Sequence, residues 1–92
     1  MVRFLPAGAA VLSVLALTPA AQAVDVLNED GRDYDVVVVE NGVESAFTLF
    51  SGGSEEDVCT TCTIEIEGIG SIEASGKETV VISGGKLVKK GG

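Results

Sequence analysis

Asn41-Gly42 stands between two runs of strand-forming residues, Asp33-Tyr34-Asp35-Val36-Val37-Val38-Val39-Glu40 and Val43-Glu44-Ser45-Ala46-Phe47-Thr48-Leu49-Phe50, and constrains the fold more than any other feature of the chain. Both turn residues tolerate the positive φ that a two-residue type I′ turn demands, so the pair predicts a tight antiparallel hairpin. A turn of that length sets the register: Glu40 faces Val43, Val38 faces Ser45, Val36 faces Phe47 and Tyr34 faces Leu49. Successive strand side chains point to opposite faces. Tyr34, Val36, Val38, Val43, Phe47 and Leu49 therefore share the face expected to be buried, against Asp35, Val37, Val39, Glu44, Ala46 and Thr48 on the other. Turn chemistry and apolar pattern thus agree on one structure, which is the mark of a sequence that specifies its fold.

The rest of the chain follows the same grammar. Short β-branched runs alternate with clusters of Gly, Asn, Asp and Ser, and no window after residue 23 has helical spacing with caps. Strands are predicted over residues 24–28, 33–40, 43–50, 62–67, 71–74, 79–83 and 86–89, and a further short strand fits before Cys59. Turns are predicted at Gly68 to Gly70, Ser75-Gly76-Lys77 and Gly84-Gly85. The expected fold is all-β, a small antiparallel β-sandwich or partly open barrel of six to eight short strands. The segments SGKETVV and SGGKLVK are weakly alike; two copies make a meander, not a repeat fold.

The first 23 residues belong to a different grammar. Arg3 supplies positive charge, Phe4 to Leu17 carries none, and Ala21-Gln22-Ala23 ends the stretch with small residues after Pro19. Charged start, apolar run and A-x-A end are the parts of a secretory signal peptide. A membrane span needs about 20 apolar residues, and this run is shorter and interrupted by Pro6 and Pro19. The expectation is therefore a cleaved signal over residues 1–23, one domain over 24–90, a tail at 91–92, a periplasmic or secreted destination, and no membrane span in the mature chain.

Removing 23 of the 92 residues leaves 69, which carry all 14 acidic residues against five basic ones (Arg32, Lys77, Lys86, Lys89, Lys90), a net charge of −9. Such a surface repels nucleic acid and anionic membrane, since binding phosphates depends on Lys and Arg releasing counterions. It suits solubility, or a cationic partner or metal ion. The chain has no histidine, which excludes Ser-His-Asp and Cys-His catalysis and histidine-bound zinc, copper or haem. Gly52-Gly53-Ser54 and Gly68-Ile69-Gly70-Ser71 complete neither a phosphate loop nor a nucleophile elbow.

Cys59-Thr60-Thr61-Cys62 is the motif with most chemistry. In an oxidising compartment an even pair of cysteines reads first as a disulfide. A redox C-x-x-C needs its first cysteine at a helix N-terminus, where thiolate is stabilised. Here Thr63-Ile64-Glu65-Ile66 continues as a strand, and Glu55, Glu56 and Asp57 lie close by. Two cysteines without other soft ligands make half a metal site. Asn28, Asp30, Asp33 and Asp35 are the candidate calcium ligands, but Arg32 and Gly31 stand at offsets an EF-hand does not allow; a turn accounts for Asn28, Asp30 and Gly31. Gly91-Gly92 reads as a frayed tail.

Two resemblances add to this reading. The run Asn28-Glu29-Asp30-Gly31-Arg32-Asp33-Tyr34-Asp35-Val36 resembles a hairpin edge of cupredoxin domains, in which N-x-D-x-x-x-H-x-V brings in a copper-ligating histidine. Tyr34 stands at the ligand position, so the resemblance implies a similar sandwich without the copper site. Over most of residues 24–90, including Glu78-Thr79-Val80-Val81-Ile82-Ser83-Gly84-Gly85-Lys86-Leu87, the chain is similar to short, signal-bearing all-β bacterial proteins. That likeness brings no activity with it. The function expected is a soluble, acidic, non-enzymatic β-domain that needs no cofactor. Its role is binding or structural, through a sheet face or edge, with a protein or small ligand as partner. A thiol–disulfide protein using Cys59 and Cys62 and a low-affinity calcium binder are the alternatives.

Overall fold

The computed structural model describes residues 23–91. The expected signal peptide lies outside them apart from Ala23, as does Gly92 of the expected tail. Eight strands follow in order: β1 (Val24–Asn28), β2 (Tyr34–Glu40), β3 (Val43–Leu49), β4 (Ser54–Cys59), β5 (Thr61–Ile66), β6 (Gly70–Ser75), β7 (Thr79–Ser83) and β8 (Lys86–Lys90). They form two four-stranded sheets, ordered β4-β1-β7-β8 and β3-β2-β5-β6, which pack as a small β-sandwich.

The predicted hairpin forms in the predicted register, from Tyr34↔Leu49 to Glu40↔Val43. Asn41 and Gly42 take φ of 54° and 78°, the left-handed conformations the turn requires. Three hairpins (β2–β3, β5–β6, β7–β8) stay within one sheet, and the other four links carry the chain from one sheet to the other in alternating directions. This alternation has a consequence the local pattern does not contain. β1 leaves its sheet at once, so its neighbours come from far along the chain: β4 antiparallel and β7 parallel. The β1–β7 ladder is the single parallel pairing among the described strands. The SGKETVV and SGGKLVK segments supply β7 and β8, which pair as an antiparallel hairpin, while β6 lies in the other sheet.

The core between the sheets is aliphatic: Val24 and Val26 from β1, Val36 and Val38 from β2, Ile64 and Ile66 from β5, Val80 and Ile82 from β7, closed by Tyr34, Leu49 and Ala74. At about 25 cal/mol per Å² of apolar surface, each such side chain contributes roughly 1.5–3 kcal/mol. Two members of the expected buried face depart from it. Phe47 is only partly buried, and Val43 is 68% exposed. Both lie on the core side of β3, but β3 is the edge strand of its sheet and is exposed toward its turn end. Alternation assigns a side chain to a face; it does not say whether anything covers that face.

Candidate functional site

Four links gather at one end of the sandwich: β1–β2, β3–β4, β5–β6 and β7–β8. Asn28, the last residue of β1, is fully buried there. Its Oδ1 accepts from the Asp30 amide at 2.9 Å, closing the Asx-turn that its position between strand and glycine suggests. Its Nδ2 donates to the carbonyls of Arg32 at 2.7 Å and of Leu49 and Phe50 at 3.2 Å each. One amide side chain thus bridges the first link to the end of β3.

Asp30 makes the second bridge. Its carboxylate accepts from the Tyr34 hydroxyl at 2.7 Å and from the backbone amides of Gly84 at 2.6 Å and Gly85 at 3.0 Å. Those glycines, at φ of 62° and 72°, turn both N–H groups toward the same anion. Hydrogen bonding from Tyr34 first, then from Gly85 and Gly84, holds the Asp30 carboxyl below the usual carboxylate range. The same bond holds the Tyr34 phenol above its ordinary value, because ionisation would set two negative oxygens against each other. The Arg32 guanidinium lies 5.1 Å from the Tyr34 ring centroid, within cation–π range.

Asp33 and Asp35 are engaged separately. Asp33 accepts from the Ser51 amide at 2.8 Å and Asp35 from the Thr48 hydroxyl at 3.0 Å. The four candidate calcium ligands are therefore close in sequence but serve four different contacts. Among the described residues no three His, Cys, Asp or Glu side chains converge on one point.

The second cluster is at the opposite end, where Thr60 alone links β4 to β5 and the chain changes sheet. Cys59 and Cys62 flank that corner at disulfide distance, with 6.1 Å between their Cα atoms and both side chains buried. The Glu40 carboxylate, at the end of β2, accepts from the amides of Thr60 at 3.0 Å and Thr61 at 3.3 Å. The two amides at the corner between the cysteines are thus both aimed at the Glu40 carboxylate.

Sequence reasoning placed Tyr34 in the core and missed its hydroxyl. A buried Tyr generally needs a partner for its O–H, and Asp30, four residues earlier, was the available signal. Glu40 left no such signal, since its partners lie 20 and 21 residues away. The chain matches no known protein family, no curated protein and no solved structure.

Proposed function

We propose that the chain is exported by a signal peptide over residues 1–23, and that the β-domain is a non-catalytic binding or structural module acting through its sheet surface. The observation that carries this reading is the employment of its distinctive side chains. Asn28 and Asp30 direct their polar atoms at the fold's own backbone and at Tyr34. Glu40 holds the corner between the cysteines. These groups join loops and sheets, which leaves the open strands and faces as the surface for a partner. Cys59 and Cys62 belong to the same frame, as a structural disulfide at the sheet-changing corner.

The test is direct. Intact mass of the secreted protein should correspond to a chain starting at Val24 and carrying one disulfide. The oxidised protein should not catalyse insulin reduction or thiol oxidation beyond the level of Cys59→Ser/Cys62→Ser. A product retaining residues 1–23 would overturn export. A thiol that reacts with iodoacetamide well below pH 7 would replace the reading with a thiol–disulfide function.

A further inference from the structure

We infer that the free edge of β3 is a strand-addition site for an extended peptide in which basic and apolar residues alternate. The inference rests on the binding reading above and names the partner's chemistry.

The two-residue turn at Asn41-Gly42 is closed by the hydrogen-bonded pair Glu40–Val43. Bonded pairs alternate from there, so Val43, Ser45, Phe47 and Leu49 bond to β2. Glu44, Ala46 and Thr48 turn their N–H and C=O groups outward. β3 is last in its sheet, and no other backbone bond among the described residues uses those groups. Its seven pairings with β2 run without a bulge. This is a regular row of free donors and acceptors, the template that β-augmentation uses.

The other edges differ. β4 is broken by a register shift opposite Val24 and Val26, holds Asp57 at φ 58°, and carries Glu55, Glu56 and Asp57. β8 carries Lys86, Lys89 and Lys90, the residues that commonly guard an edge. β6 is regular, but its core-side Ala74 is buried and Ile72 half-buried, so an added strand would find little apolar surface to cover. β3 leaves such surface on its core side, where Val43 is 68% exposed and Phe47 partly so; β8 exposes Val88 as well, but between its lysines.

The partner's chemistry follows from the two sides of β3. On the core side, apolar residues of an added strand would cover Val43 and Phe47. The outer face of the β3-β2-β5-β6 sheet carries Asp35, Glu44, Glu65 and Glu73 and no Lys or Arg. Residues of the added strand on that face lie beside Glu44, and lysine or arginine there is favoured. A second copy of this chain would bring its own Glu44 and the net charge of −9 of residues 24–92 to the same edge, so charge selects a cationic segment over self-pairing.

The experiment is fluorescence anisotropy with the exported protein and a labelled nonapeptide alternating lysine with valine. Expected is saturable binding that weakens with salt, and at least tenfold weaker binding to Ala46→Pro and to Glu44→Lys. Proline at 46 removes an edge N–H that β2 does not use. If that variant melts well below wild type, protection of the Ala46 and Thr48 amides from hydrogen exchange on adding peptide to wild type decides instead. Three outcomes would overturn the inference: no saturable binding, equal affinity for a peptide with the same lysines and valines in separate blocks, or no protection at Ala46 and Thr48. Dimerisation of the wild type abolished by Ala46→Pro would reassign the edge to a second copy. Failure here with no thiol catalysis overturns only the partner; thiol catalysis overturns the broader reading.

Discussion

Replacing Asn28 by alanine removes one side chain and four hydrogen bonds. The Asp30 amide and the Arg32 carbonyl have no other protein partner among the described residues. The Phe50 carbonyl keeps its bond from the Gly53 amide, so it loses less. The Leu49 carbonyl, in the bonded pair with Tyr34, likewise keeps its ladder bond to β2. A net loss of about 1 kcal/mol for each of the two groups left without a protein partner, and rather less for each of the two carbonyls that keep one, sums to roughly 3 kcal/mol. A domain of this size has a total stability on the order of 3–10 kcal/mol at roughly 0.05–0.15 kcal/mol per residue. At about 4–8 °C per kcal/mol for a domain this small, thermal melting followed by circular dichroism at pH 7 should show Tm lowered by about 12–24 °C. Asn28→Asp sharpens the test, because it keeps the shape but sets a carboxylate oxygen against three carbonyls. Burial and those carbonyls raise its folded pKa, so the protonated form is the one the fold accepts. Relative to wild type at each pH, the variant should be most stable below about pH 4, the ordinary carboxylate pKa being about 3.9, and lose stability as pH rises through the folded value. An Asn28→Ala variant that melts within about 4 °C of wild type, less than about 1 kcal/mol, would refute the claim that this amide holds the loop end together.

Tyr34 is the one tyrosine in the chain, so its ionisation can be read at 295 nm without interference. Its titration should lie above the usual phenol range in the wild type and move back in Asp30→Asn. Because the folded phenol pKa is raised, that contribution to stability is present below about pH 10 and is lost as pH rises through the folded value. The Asp30 carboxyl has the opposite sign: its folded pKa is lowered, so its contribution is present above about pH 4 and is lost as pH falls through the folded value. Asp30→Asn should flatten the acid limb of the stability curve. Cys59→Ser/Cys62→Ser should keep the β circular-dichroism signature at low temperature and lose roughly 2 kcal/mol, the loop-entropy value for so short a loop; an unchanged Tm would mean the pair restrains nothing. Phe47→Ala should cost about half of the roughly 3–5 kcal/mol typical of a fully buried Phe, because Phe47 is only partly covered; urea unfolding measures it, and a loss at the full value would place Phe47 inside the core.

Local chemistry made the first hairpin legible. Asn41-Gly42 selects a turn, the turn sets the register, and Val36 and Val38 recur with the period of a strand. The Asx-turn at Asn28 was legible for the same reason, since its bond to the Asp30 amide spans two residues. The acidic run of β4, Ser54–Cys59, has little alternation to announce a strand, and it becomes one because β1 supplies its ladder. Tertiary structure alone decided which sheet each strand joins, that β1 runs parallel to β7, and that Val43 stays uncovered. It also decided the long reaches of the site: Asn28 to Leu49 and Phe50, Asp30 to Gly84 and Gly85, Glu40 to the corner between the cysteines. A turn or an alternating pattern is settled by the backbone preferences of neighbours along the chain. Bonds between residues 20 or more positions apart form only once loops have closed and two faces have been buried together, and no residue carries that outcome in its own local preference.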